Sequence, residues 1–104
     1  MKNIQEKIKY FCKINGLESP VEHRVLDTMS ELGEVAKEIL EMSNYGRNPI
    51  EYKDELKSEL GDVLFSLTTI ANTFNIDLEE ALYQVLEKYE KRLKKGTAGS
   101  ENDK

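Results

Sequence analysis

Cysteine is nearly missing from this chain: Cys12 is the only one in 104 residues. No internal disulfide can form and a cysteine-rich zinc site is excluded. Set among apolar residues of the first predicted helix, Cys12 reads as a small core residue. Histidine is equally scarce. His23 stands alone near a helix start, as a surface or capping residue, and the paired Glu-x-x-His motifs of a di-iron bundle are absent. There is no tryptophan to stack on a base and no glycine-rich phosphate loop. Positive charge is in deficit, with a formal net charge of −5. A basic surface for DNA or RNA is therefore not expected, although divalent cations can join an acidic protein to a polyphosphate. Long apolar runs are lacking too. The longest uncharged stretch, Val63 to Ile76, is interrupted by Ser, Thr and Asn, and is shorter than the roughly 20 residues a membrane span needs. The N-terminus has no apolar core of a signal peptide, so a cytoplasmic protein without membrane partners is expected.

What is present is helical. Charged residues make up 34% and apolar ones 38%, with only two prolines, both near apparent helix starts; that composition suits an all-α soluble domain. The first helix is predicted from about Asn3 to Ile14, with Ile4, Ile8, Phe11 and Cys12 on one stripe and Asn15-Gly16 as the stop. Ser19-Pro20-Val21-Glu22 reads as a capping box, opening a helix from Pro20 to Ser43. Its apolar face is Val21, Val25, Met29, Leu32, Ala36, Ile39 and Leu40, with Glu31, Glu34 and Glu38 on the flank. Asn44-Tyr45-Gly46-Arg47 breaks the pattern. Asn48-Pro49-Ile50-Glu51 predicts a third helix from Pro49 to Phe74, with Leu56, Leu60, Val63, Leu64, Leu67, Ile70, Ala71 and Phe74 as its stripe. Asp77 caps a fourth, carrying Leu78, Leu82, Val85, Leu86, Tyr89 and Leu93. Residues 95–104 hold no large apolar side chain and read as a disordered tail, leaving 1–94 as a single domain. Short connections make this an antiparallel four-helix bundle. A helix uncharged all round is buried on most sides, and in a domain this small that requires a second copy. A dimer or a dimer of dimers is expected.

One phrase occurs twice. Ser30-Glu31-Leu32-Gly33-Glu34-Val35 is answered by Ser58-Glu59-Leu60-Gly61-Asp62-Val63. Each copy puts two carboxylates on one helix face. Each also tolerates a helical glycine, which costs about 1 kcal/mol against alanine and predicts close backbone approach or a ligand lying against the helix. Carboxylates gathered across two packed helices repel unless a cation neutralises them. An all-oxygen ligand set without His or Cys favours Mg²⁺, with Mn²⁺ able to substitute, and such clusters serve phosphoryl chemistry. Lys37, Arg47, Lys53, Lys57, Lys88 and Arg92 are the cations that could add phosphate contacts, Lys88 and Arg92 sharing a face through their i,i+4 spacing.

These motifs, together with Asn75-Ile76-Asp77-Leu78-Glu79-Glu80-Ala81-Leu82 and Glu87-Lys88-Tyr89-Glu90-Lys91-Arg92, resemble the MazG family of nucleotide pyrophosphohydrolases from about Ser19 to Leu93. The resemblance implies an all-α assembly of dimers or tetramers and Mg²⁺-dependent hydrolysis of a nucleoside triphosphate to the monophosphate and pyrophosphate, as in nucleotide-pool house-cleaning. By matching positions it implies Glu31, Glu34, Glu59 and Asp62 as metal ligands. Water would attack in line and lose its proton to a carboxylate, with Glu34 and Glu38 as candidates. Ser30 and Ser58 stand where many members carry a further acid, and Tyr89 where many carry asparagine. A base pocket would use Tyr45, Phe65 or Tyr83. Within the same superfamily, dimeric dUTPase-like and phosphoribosyl-ATP pyrophosphatase activities share the acidic constellation. Outside it, the alternative is a non-catalytic helical interaction module.

Overall fold

All four helices end on the same conformation. The computed structural model describes residues 1–96: α1 spans Lys2–Ile14, α2 Val21–Met42, α3 Glu55–Thr73 and α4 Leu78–Lys94. No strand occurs among the described residues, and the predicted tail lies outside them from residue 97 onwards. The residue after each helix's C-cap is left-handed: Gly16 (φ +65°), Asn44 (+50°), Asn75 (+54°) and Gly96 (+85°). Glycine and asparagine adopt that region at little cost. After the first three helices the next N–H reaches back into the last turn, Leu17 to the Cys12 carbonyl at 2.9 Å, Tyr45 to Leu40 at 2.7 Å and Ile76 to Ala71 at 2.9 Å. This is the Schellman ending, which satisfies carbonyls the helix leaves orphaned.

The starts follow the sequence less closely. Asp77 caps α4 as expected, its carboxylate accepting from the N–H of Glu79 at 2.9 Å and of Glu80 at 3.3 Å. Ser19 does not cap α2. Pro20 takes the N-cap position with no side-chain bond, while Arg24 donates back to the Leu17 carbonyl and pairs with Asp27 at 3.8 Å. The third helix opens at Glu55 rather than Pro49. The preceding backbone donors are spent on the end of α2 instead: Glu51 N–H on the Met42 carbonyl at 3.0 Å and Lys53 N–H on Met42 Sδ at 3.3 Å.

The faces that pack are not the most apolar ones. Along α2 the shielded residues are Val21, Arg24, Thr28, Glu31, Val35, Glu38 and Met42. That is an alternating three-and-four spacing, the seam pattern of a helix lying along another helix. The facing row on α3 is Leu56, Glu59, Val63, Ser66 and Ile70. Val25, Met29, Leu32, Ile39 and Leu40, expected in the core, are exposed. On α3 the buried residues are Ser66, Thr68, Thr69 and Ala71, whereas Leu60, Leu64, Leu67 and Phe74 are 41–59% exposed. Leu82, Leu86, Tyr89 and Leu93 of α4 are exposed as well, and α4 packs far less against the other helices than α2 does against α3. The Cα radius of gyration is 17.2 Å, against about 13 Å for a compact chain near this length. Three leucine-bearing helix faces thus lie open, well beyond the scattered apolar exposure of an ordinary surface.

One buried amide fastens α1. Gln5 donates to the Asn72 side chain at 3.2 Å and to the Ile76 carbonyl at 2.8 Å. Its own oxygen accepts from the Leu78 N–H at 2.9 Å, and Asn72 donates to the Gln5 carbonyl at 3.0 Å. Phe11 adds an edge-to-face contact with Phe65 at 6.3 Å between centroids. Gln5→Leu keeps the volume but strands the Ile76 carbonyl and the Leu78 N–H. A loss of about 2 kcal/mol is expected, read by urea unfolding; a loss below about 0.5 kcal/mol would mean that water replaces the amide.

Candidate metal centre

Glu31, Glu38 and Glu59 lie in the α2–α3 seam itself rather than on its flank, while Glu34 and Asp62 are exposed beside it. Seven residues are almost two full turns of helix, so Arg24, Glu31 and Glu38 share one face of α2, and Glu59, Ser66 and Thr73 share one face of α3. Glu31 comes from the middle of α2, and Glu59 and Asp62 from the first two turns of α3. One carboxylate oxygen from each of Glu31, Glu59 and Asp62 lies within 4.8 Å of the other two. Glu31 and Glu59 are half-buried and Asp62 is exposed, leaving the trio open to water and ligand on one side.

Holding these charges together has an electrostatic cost that falls on Glu59. Partial desolvation, then repulsion from Asp62, Glu34, Glu31 and Glu38, push its carboxyl above the ordinary glutamate range. Glu34 and Glu38 are therefore near enough for their charge to be felt, although neither belongs to the trio. A group with a raised folded pKa binds more protons folded than unfolded, so its contribution is present at low pH and lost as pH rises through the folded value. The metal-free protein is therefore expected to melt at progressively lower temperature as pH is raised from 4.5, glutamate's ordinary pKa, towards neutrality. Glu59→Gln should flatten that slope. A slope unchanged by the substitution would detach Glu59 from the effect.

A divalent cation fits this donor set. Three hard oxygens converge from two helices, and the repulsion that raises Glu59 is what a bound cation would relieve. Gly33 and Gly61 do not serve close packing within the chain, since a Cβ at either would meet nothing within 4 Å; the close backbone approach expected there is not made.

The other predicted residues are dispersed. Lys37 is exposed on α2, and among the described residues no ion pair joins it or Lys88 to the acids. Lys88 Nζ and the Arg92 guanidinium both lie over the Tyr89 ring, at 5.9 and 5.3 Å from its centroid. Arg92 is buried, Lys88 exposed. Phe65 is engaged with Phe11, Tyr45 is exposed in the α2–α3 turn, and Tyr83 is exposed with its hydroxyl 3.5 Å from Glu79. Arg24 and Thr28, which continue the seam beyond Glu31, were missed in the sequence. Their signal was the three-and-four spacing with Glu31 and Val35, hidden under a stronger leucine stripe.

Residues 21–97 match the profile of the MazG nucleotide pyrophosphohydrolase domain. An uncharacterised protein, YpjD of Bacillus subtilis (strain 168), is 38% identical over 97 residues, which cover 88% of this chain and 85% of that protein. The crystal structure of YpjD from Bacillus subtilis, described as a candidate pyrophosphatase, aligns with a TM-score of 0.69 at 33% identity, covering 85% of this chain and 92% of that one.

Proposed function

The chain belongs to the MazG nucleotide pyrophosphohydrolase domain family, and from that premise we propose that it hydrolyses nucleoside triphosphates to monophosphate and pyrophosphate with Mg²⁺, in nucleotide-pool house-cleaning. The observation that carries this reading is the Glu31–Glu59–Asp62 trio, with its oxygens within 4.8 Å of one another across two helices. Glu31, Glu59 and Asp62, joined by Glu34 from the next turn of α2, would hold the metal. Bound there, the cation would neutralise phosphate oxygens and make water a better nucleophile at neutral pH.

The chain's own groups do the rest. A water oxygen attacks the α-phosphorus, the bond from that phosphorus to the α–β bridging oxygen breaks, and pyrophosphate leaves with the electron pair. Glu34 or Glu38, outside the trio but close enough to raise Glu59, accepts the water's proton. Lys37, Lys88 and Arg92 are assigned to the phosphate chain, with Lys88 and Arg92 ordered by their shared stacking on Tyr89.

The domain in this reading is residues 1–94, an antiparallel bundle completed by a second copy. Antiparallel order is supported by the pairing of Met42 with Lys53 at one end of the seam and of Glu31 with Glu59 and Asp62 further along. A second copy is supported by the open leucine faces of α2, α3 and α4. The direct test is pyrophosphate release from a panel of canonical and modified NTPs and dNTPs with Mg²⁺. Release that stops on chelation is the expected result; no release from any of them would sink the reading.

A further inference from the structure

A buried glutamine of α1 holds the joint between α3 and α4. Residues 74–77 join the two helices, and Asp77, the N-cap of α4, stands at φ −83° and ψ 112°. The Ile76 carbonyl and the Leu78 N–H belong to the two peptide planes that meet at Asp77. Each plane is rigid, so those two angles set how one stands to the other. Gln5 bridges both planes with a single planar amide. Its Nε2 donates to the Ile76 carbonyl at 2.8 Å, and its Oε1 accepts from the Leu78 N–H at 2.9 Å. The same Nε2 donates to Asn72 Oδ1 at 3.2 Å, and Asn72 donates back to the Gln5 carbonyl at 3.0 Å. The amide is thereby fixed to the last turns of α3 while it grips the first residue of α4.

What the joint carries is a lever. Leu78, Ala81 and Val85 in the first two turns of α4 are half-buried, and of the rest only Arg92 is shielded. The helix packs far less on its own chain than α2 does on α3, so its direction depends on how it leaves the turn. Lys88 stands ten residues beyond Leu78, about 15 Å along the helix axis. A change of about 15° at Asp77 would carry it about 4 Å sideways, where a misplacement of about 1 Å is already felt. Gln5 precedes residues 21–97, which match the family profile, so this control comes from a helix outside the matched domain.

We infer that Gln5 is a positioning residue for the hydrolysis: by holding the angles at Asp77 it sets the direction of α4, and so where Lys88 meets the phosphate chain. The inference rests on the pyrophosphohydrolase reading above and on its assignment of Lys88. The carboxylates belong to α2 and α3, so loss of the clamp falls on binding of the phosphate chain rather than on bond breaking.

The test is saturation kinetics of the Mg²⁺-loaded full chain, well below its melting temperature. Gln5→Leu is expected to raise KM for the triphosphate at least tenfold. Both kcat and the Mg²⁺ concentration at half-maximal rate should stay within about twofold, a split that marks lost binding. In a Lys88→Met chain, where the clamp has nothing left to position, the same substitution should raise KM less than threefold. Gln5→Asn, whose amide is too short to reach both backbone groups, should repeat the pattern and serves where Gln5→Leu fails to fold. An unchanged KM in a folded variant would overturn the assignment and leave Gln5 a structural residue. So would a fall in kcat at constant KM, or a full rise in KM in the Lys88→Met chain. If no triphosphate is hydrolysed even by the unaltered chain, the pyrophosphohydrolase reading fails and the clamp is read separately. Spin labels at Glu41→Cys on α2 and Glu87→Cys on α4, with Cys12→Ser, then report the distance between the helices in labelled chains diluted into unlabelled ones. A distance that shifts or broadens by several Å in Gln5→Leu and Gln5→Asn supports control of α4; an unchanged distribution overturns it.

Discussion

The double substitution Glu59→Gln with Asp62→Asn is expected to lower kcat/KM by at least about a thousandfold, which corresponds to about 4 kcal/mol of transition-state stabilisation. Two of the three oxygen donors that converge within 4.8 Å are replaced by neutral amides of nearly the same shape, so backbone and packing have little reason to change. The same substitution should stabilise the metal-free fold, because Glu59 is raised by partial desolvation and by four neighbouring carboxylates. Removing two of those charges relieves a repulsion that the folded state alone feels. Opposite signs on activity and on melting temperature form the diagnostic. A structural role would give loss of both, and a solvated acidic face would give loss of neither. Pyrophosphate release at saturating Mg²⁺ and a thermal melt in EDTA read the two quantities on the same preparation. Unfolding of the double variant, or full activity in it, would remove the trio from the mechanism.

The sequence made some of this legible and concealed the rest for a physical reason. Helix ends were readable where a backbone demand falls on one residue: Asn15-Gly16 and the Asn44 turn mark left-handed stops, and Asp77 caps α4 through its own carboxylate. Starts were misread where the signal depended on context. Ser19 and Asn48 have capping chemistry, but Pro20 stands at the N-cap of α2, and Met42 takes up the N–H groups of Glu51 and Lys53 that follow Asn48. The twin acids were found because their spacing repeats. Their location was not, because hydrophobicity alone nominated the leucine stripe as the inner face. Within one chain the inner face is the seam of Arg24, Thr28, Glu31, Val35, Glu38 and Met42. A periodicity count ranks faces by apolar content, and this chain carries more apolar faces than its own seam buries. Gln5 was invisible for a related reason, since its four bonds run to the end of α3 and the start of α4, more than sixty residues away.

That surplus of apolar faces sets the second large effect. Leu64→Asp is expected to convert an assembly of at least two copies into 12.0 kDa single chains in sedimentation velocity, and to weaken self-association by at least about a thousandfold, or about 4 kcal/mol. On α3 the residues already buried within the chain are Ser66, Thr68, Thr69 and Ala71, while Leu60, Leu64, Leu67 and Phe74 point outwards. A helix that hides hydroxyls and displays leucines is stable only if something apolar covers the leucines, and α4 of the same chain does not pack there to any comparable extent. A carboxylate at residue 64 would have to be desolvated in such an interface without a partner, a penalty of several kcal/mol. In a chain that functions alone it would merely sit in water, cost little, and leave both the mass and the melting temperature unchanged. Because Leu64 lies on the same helix as Glu59 and Asp62 but on its open side, the substitution leaves the Glu31, Glu59 and Asp62 carboxylates in place. Loss of turnover in the dissociated variant would therefore show that the carboxylate site depends on the neighbouring copy, and turnover retained by a 12.0 kDa species would show that one chain holds all it needs.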